Sequence, residues 1–288
     1  MTEYAVSLPA NGARAAWRFA SSPGWSRRIG VAGVVLICLV AVFAPLIAPY
    51  PPDEQDLATG LQGPSWAHLF GTDQLGQDVF SRVIFASRID LQIGIVGVTI
   101  PFVVGTIVGL FAGFYGGWLD TVIGRLIDIF TAFPFLVLVI AIVAMLGPGL
   151  RNLYIAIAVV SWVAYARIIR GETLSAKRRE YVVAAHGLGY SGPRLMFRHL
   201  LPNVVAPAVV FSMSDFVLDI VAGASLGFFG LGVQPPQPEW GVMIADGRNF
   251  ITTAPWLVFF PGFAIVVVGF FFSLLGDGLA DYIRRVDR

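Results

Sequence analysis

The sequence predicts an all-α polytopic membrane protein with six transmembrane helices, and three observations carry that expectation. Apolar residues fill 57% of the 288 positions and charged residues only 13%, against the roughly 25% typical of soluble domains. Mean hydropathy is correspondingly high, at +0.77. The apolar residues gather into six runs, each near the ~20 residues a helix needs to cross a hydrocarbon core. Once six crossings are drawn, the 19 Lys and Arg residues fall into two very unequal groups.

The first run covers residues 29–48. The residues before it lack the apolar core of a signal peptide and no cleavage pattern follows it, so it reads as an anchor that stays. The second run lies within the charge-free stretch 91–119, and the third covers 126–146. The fourth, 150–169, is the weakest, because Arg151 and Arg167 near its ends must snorkel. The fifth, 204–228, carries Asp215 and Asp219, and the sixth is 256–275. An even number of crossings places both termini on one side. Fifteen of the basic residues then share the face holding residues 1–28, 172–203 and the carboxyl tail. Only Arg82, Arg88, Arg151 and Arg248 lie on the other. Cytoplasmic loops carry the excess of Lys and Arg, so both termini are expected in the cytoplasm. The chain divides into a cytoplasmic tail (1–28), a first helix (29–48), an outer segment (49–88) and a core (89–288) with a second outer loop at 229–255. Pro45, Pro101, Pro134, Pro207 and Pro261 inside the runs, with many glycines, argue for kinked, closely packed helices.

Little in the sequence points to chemistry. The one cysteine, Cys38, sits inside an apolar run, and His68, His186 and His199 are too scattered for metal-ligand spacing. No GxxxxGK[ST] loop is present to hold ATP. A hydrolase needs a nucleophile with a base in reach; Ser161, Ser212 and Ser225 lie in spans, but no histidine lies at that depth. The chain is therefore not expected to be an enzyme, and no cofactor, metal or nucleic acid is expected among its ligands. Asp215 and Asp219 stand one turn apart on one helix face. Carboxylates inside a membrane are costly and normally face a cavity or a partner, which makes both candidates for lining a solute pathway. Structural pairing with a partner helix is the competing reading. A proton relay in a secondary transporter is a further one, but no internal repeat of the kind such transporters often carry is visible.

The stretch 180–203, EYVVAAHGLGYSGPRLMFRHLLPN, is too polar to cross lipid and too patterned for a tether. Residues 180–186 suit a short helix, in which small Ala184 and Ala185 admit the close approach of another surface. Gly187, Gly189 and the Gly192–Pro193 pair break it. Ser191 is placed to cap a second piece with Arg194 and Arg198 one turn apart, and Pro202 marks the boundary before the fifth span. Helix, break and helix make a lever lying on the membrane surface; a basic loop for anionic headgroups is the alternative.

Ala184-Ala185, Gly189 and His199-Leu200-Leu201-Pro202 resemble the EAA loop of bacterial ABC importer permeases, E-A-A-x3-G-x9-I-x-L-P. The chain departs from it at Val183 and His199, and Glu180 stands where the peptide-importer branch commonly places its acid. FGTDQLGQDVFSRVIFASR (70–88) and LGFFGLGVQPPQPEWG (226–241) resemble signatures of the C-type permeases of dipeptide, oligopeptide and nickel importers. The resemblance covers about residues 28–288 and implies the type I ABC importer permease fold in a bacterial inner membrane. It also implies a second permease subunit in a heterodimer, two cytoplasmic ATPases and an extracytoplasmic solute-binding protein. Glu180, Ala184, Ala185, Gly189, Arg194 and Pro202 then form the ATPase-coupling segment. Asp73, Gly76 and Asp78 are expected in a short amphipathic helix that contacts the binding protein or covers the pathway entrance, with local capping by Asp73 as the competing account. Trp240, beside Pro235, Pro236 and Pro238, joins that outer set. The implied solutes are di- or oligopeptides, with nickel, opines or other small solutes as alternatives. Where relatives commonly carry a glutamate, this chain has Gly223.

Overall fold

The computed structural model describes residues 25–286, with side chains through residue 283. Almost all of the expected 1–28 tail, the Arg284 and Arg285 side chains and Arg288 fall outside that description. Among the described residues no β-strand forms, only an isolated bridge between Thr72 and Asp78. The helices are α1 (Trp25–Val42), α2 (Val79–Tyr115), α3 (Gly117–Thr131), α4 (Phe135–Leu146), α5 (Leu150–Ala176), α6 (Glu180–Gly187), α7 (Ala206–Phe228), α8 (Trp240–Gly247) and α9 (Trp256–Val286). Of these, α1, α2, α5, α7 and α9 are long and apolar enough to cross a membrane; α3 and α4 supply a sixth crossing only as a bent pair.

Glycine sets how closely these helices approach. Gly105, Gly109 and Gly113 recur every four residues along one face of α2, and that face lies on α5. A Cβ on Gly109 would stand 3.0 Å from Ala166 Cα, and one on Gly113 would stand 2.7 Å from Thr173 Cβ. Small residues at this spacing let backbones close in where lipid offers no hydrophobic drive. On α1, Gly30 plays the same part against the backbone of Leu275 in α9.

The structure departs from the apolar runs in two places. At 37 residues, α2 is about 55 Å long, well beyond a ~30 Å hydrocarbon core. It starts at Val79, inside the expected outer segment. Asp78 caps it, accepting 2.7 Å hydrogen bonds from the Ser81 amide and hydroxyl. Its first turns hold Arg82 and Asp90, both buried, the one bonded to Pro52 and Gln77 and the other to the Trp240 amide, so this polar start is wrapped by protein rather than bathed in lipid. The third run, in which Pro134 argued for a kink, breaks between Thr131 and Phe135 with an 87° bend. Pro134 has no amide proton to donate and disfavours helical geometry at Phe133.

Beyond α6 the expected second helix is irregular. A turn at Gly192–Arg194 leads into a π-helical stretch, Leu195–Leu200, and then a turn at Leu201–Val204. Ser191 occupies the N-cap position, but its side chain makes no cap bond.

Candidate coupling handle and solute cavity

α6 and the π-helical stretch are fastened to the ends of α2 and α5. Val182, Met196 and Leu200 are buried in one apolar cluster with Leu110 of α2 and Tyr165 and Ile169 of α5. Lys177 Nζ donates to the Gly113 carbonyl at 2.8 Å, tying the end of α5 to that of α2. Gly189, at φ +79°, turns the chain out of α6 in the left-handed region that glycine favours. The Arg194 guanidinium lies 4.5 Å over the Tyr190 ring, and that ring stacks on His199. The handle is thus an extension of the helix core.

Of the residues expected to couple to an ATPase, Glu180, Ala184, Gly189, Arg194 and Pro202 are exposed. Ala185 instead turns inward at 6% exposure, so its small size serves packing within this chain. Val183 and Leu188 complete the outer face as exposed apolar side chains on a polar segment, and of the two only Leu188 was passed over in the sequence. Val183 stands where the EAA pattern carries its acid, a departure already visible in the sequence.

A cavity of about 350 Å³ opens at the elbow between α3 and α4, walled by α5 and α7. Asp215 lines it, and its Oδ2 accepts a 2.7 Å hydrogen bond from the Tyr165 hydroxyl. Arg167 and Ser161 line it as well. Asp219 does not: it is fully buried, turned toward Gly97 of α2, and neither of its oxygens has a hydrogen-bond partner among the described residues. One helical turn therefore separates a carboxylate at a cavity from one sealed between helices. At Gly223, a Cβ would meet the Ile93 side chain at 3.0 Å, so a larger residue there must displace that side chain.

The outer set proves to be internal scaffolding. No separate amphipathic helix forms around Asp73, Gly76 and Asp78, because the acids there bind turns and start α2. Asp73 Oδ1 accepts from the amides of Leu75 and Gln77 at 2.8 and 2.9 Å, and burial pushes its carboxyl above the ordinary 3.8. Gly76, at φ +73°, packs under the Asp56 carbonyl. Asp78 pairs with His68 at 3.0 Å. Trp240 is 2% exposed, with its indole donating to the Val83 carbonyl and its amide to Asp90. Trp240 is thus enclosed within this chain, bonded to the first turns of α2. The outer apolar surface belongs to Leu57 and Trp66, the latter 98% exposed.

Residues 105–285 match the family described as binding-protein-dependent transport system inner membrane component. Residues 14–64 match the N-terminal TM domain of oligopeptide transport permease C. The chain is 44% identical to the dipeptide transport system permease protein DppC of Alkalihalophilus pseudofirmus, over 92% of this chain and 88% of that protein. It is 45% identical to the di/tripeptide transport system permease protein DppC of Pseudomonas aeruginosa, over 88% and 85%. It is 42% identical to the glutathione transport system permease protein GsiD of Pectobacterium atrosepticum, over 86% and 83%. With helices that span, a family-wide match and no catalytic constellation required, the chain belongs to the inner-membrane permease components of binding-protein-dependent ABC transport systems and is a transport subunit rather than an enzyme.

Proposed function

We propose that this chain is one permease subunit of an ATP-driven importer of di- or oligopeptides, paired with a different sister permease and moved by two cytoplasmic ATPases through residues 180–203. The observation that carries the reading is the continuous apolar cluster running from Val182 and Met196 in the handle to Tyr165 in α5. Packed interiors transmit displacement. A push on the exposed face around Val183 and Leu188 therefore travels to Tyr165, and through its hydroxyl to Asp215 at the cavity. Both sites then bias one two-state element, which is what coupling requires.

The peptide assignment rests on the names of relatives that match nearly the whole chain. The asymmetry of basic residues supports a cytoplasmic handle and cytoplasmic termini. Asp215 is assigned to the solute pathway, and Asp219 to the packing behind it. Contact with the extracytoplasmic binding protein is assigned to the exposed surface around Leu57 and Trp66, with Asp73, Gly76 and Asp78 as its internal support.

Gentle extraction of the tagged chain from native membranes tests this. Walker-motif ATPases and a second six-span chain should co-purify. The reconstituted complex with its binding protein should accumulate labelled dipeptide in proteoliposomes when ATP is supplied. Recovery of this chain alone would overturn the machine, and accumulation of nickel in place of peptide would overturn the solute.

A further inference from the structure

The cavity at the α3–α4 elbow carries more than an acid. Arg167 lies nine residues before the handle-side end of α5, and Asp215 nine residues after the handle-side start of α7. At 1.5 Å per residue both stand about 14 Å inside that end of the bundle, so they face the cavity at one level. They are not paired with each other, and among the described residues neither forms a salt bridge. The Arg167 guanidinium spends one bond on the Thr131 hydroxyl at 3.0 Å, leaving most of its five N–H donors open. Asp215 is held by the neutral Tyr165 hydroxyl, which orients the carboxylate without neutralising it.

Ser161 stands six residues before Arg167 on α5, about 9 Å deeper in the bundle. It is 5% exposed, borders the cavity, and its hydroxyl has no partner among the described residues. Buried hydroxyls are nearly always satisfied, so an orphan facing a cavity marks a place where something else supplies the bond. Phe130, Phe135 and Phe211 form much of the remaining wall. About 350 Å³ falls in the range of small-molecule sites.

We propose that this cavity is a binding station for the zwitterionic backbone of a short peptide, with Asp215 taking the α-ammonium, Arg167 the α-carboxylate, Ser161 a backbone amide, and the phenylalanines the side chains. The proposal rests on the peptide reading above and adds a site within it. Opposite charges at opposite walls recognise the two ends that every short peptide shares, while the aromatic wall places little demand on side-chain identity. Unpaired charges within a membrane are tolerated beside a wet cavity, and a passing zwitterion compensates both at once. The station lies toward the handle end, which makes it the last stop before release on that side.

The complete complex, reconstituted in nanodiscs without nucleotide or binding protein, tests the station directly by equilibrium dialysis with radiolabelled dialanine. Asp215→Asn and Arg167→Gln should each weaken binding by about tenfold or more, as loss of a charge-assisted contact does. Ser161→Ala, which keeps both charges, should weaken it by less. N-acetyl-dialanine should lose its dependence on Asp215, and dialanine amide its dependence on Arg167. Normal thermal melting and intact assembly of the complex in the variants exclude misfolding, and Ser161→Ala serves if either charge variant fails that check. Dialanine binding that ignores all three substitutions, or blocked peptides that keep both dependences, would overturn the station while leaving peptide import intact. A wild-type complex that accumulates no peptide in proteoliposomes would overturn the peptide reading and the station with it.

Discussion

The Tyr165 hydroxyl donates to Asp215 Oδ2 across 2.7 Å, joining α5 to α7 at the point where the handle's apolar cluster meets the cavity. The same ring packs edge-on against Phe102 and Phe211, so its position is set by three helices and its hydroxyl has little freedom to turn elsewhere.

Tyr165→Phe should preserve that ring packing and remove only the donor. A buried carboxylate left one hydrogen bond short costs about 1–3 kcal/mol. The variant should melt at a lower temperature in nanodiscs and import more slowly. A melting curve that overlays the wild type would show that the bond contributes nothing.

The α2–α5 crossing depends on the absence of side chains at three positions. Gly109→Val would drive a branched side chain into the Ala166 backbone, and these helices cannot part without exposing Tyr165 and the handle cluster. Yield of monodisperse protein should collapse. Gly171→Ala on α5 is the control, since a Cβ there meets nothing within 4 Å and alanine favours helix by about 1 kcal/mol over glycine. Equal yields from the two variants would contradict the close-packing account.

Hydropathy located the crossings because it reports what lipid must see, but it carries no direction. Pro134 argued for a kink, but nothing local in a run that reads as one span gave the size of the 87° turn. The start of α2 was hidden: Arg82 and Asp90 look like loop residues until Pro52 and Gln77 are known to hold the one and Trp240 the other. Asp215 and Asp219 share a helix face at i, i+4, and only the position of Gly97 on another helix separates their surroundings. Arg167 read as a snorkelling end residue because its cavity is made by α3, α4 and α7, which no local pattern brings together.

Glu239 gives the outer cap a pH dependence. It is fully buried, and burial pushes its carboxyl above the ordinary 4.5, although the amides of Gly241 and Val242 pull the other way. The titratable group facing it is Asp90 of α2. The folded chain therefore holds a proton that the unfolded chain releases, and stability is greatest below pH ~4.5 and declines as pH rises through the raised value. Glu239→Gln cannot ionise, and it keeps an acceptor for one of the two α8 amides. Hydrogen exchange of α8 should speed up with rising pH in the wild type beyond its intrinsic rate, and this excess should shrink in the variant, where Asp90 is the titratable group left beside α8. An excess of unchanged size in Glu239→Gln would assign the dependence elsewhere.

On the handle, exposure separates docking from packing. Leu188 is 75% exposed and a Leu188→Asp change leaves the folded chain nothing to resist; melting should stay unchanged. If an ATPase groove covers this face, burying the new carboxylate there is costly unless it is paired, so peptide uptake should fall by about tenfold or more while ATP hydrolysis continues. Ala185→Leu acts from the other side, at 6% exposure. Overpacking of this kind costs about 1–3 kcal/mol, so its melting temperature should drop before any coupling defect is measured. The two variants thus give opposite signatures from residues three positions apart. A Leu188→Asp complex that imports at the wild-type rate would show that this face of the handle carries no partner.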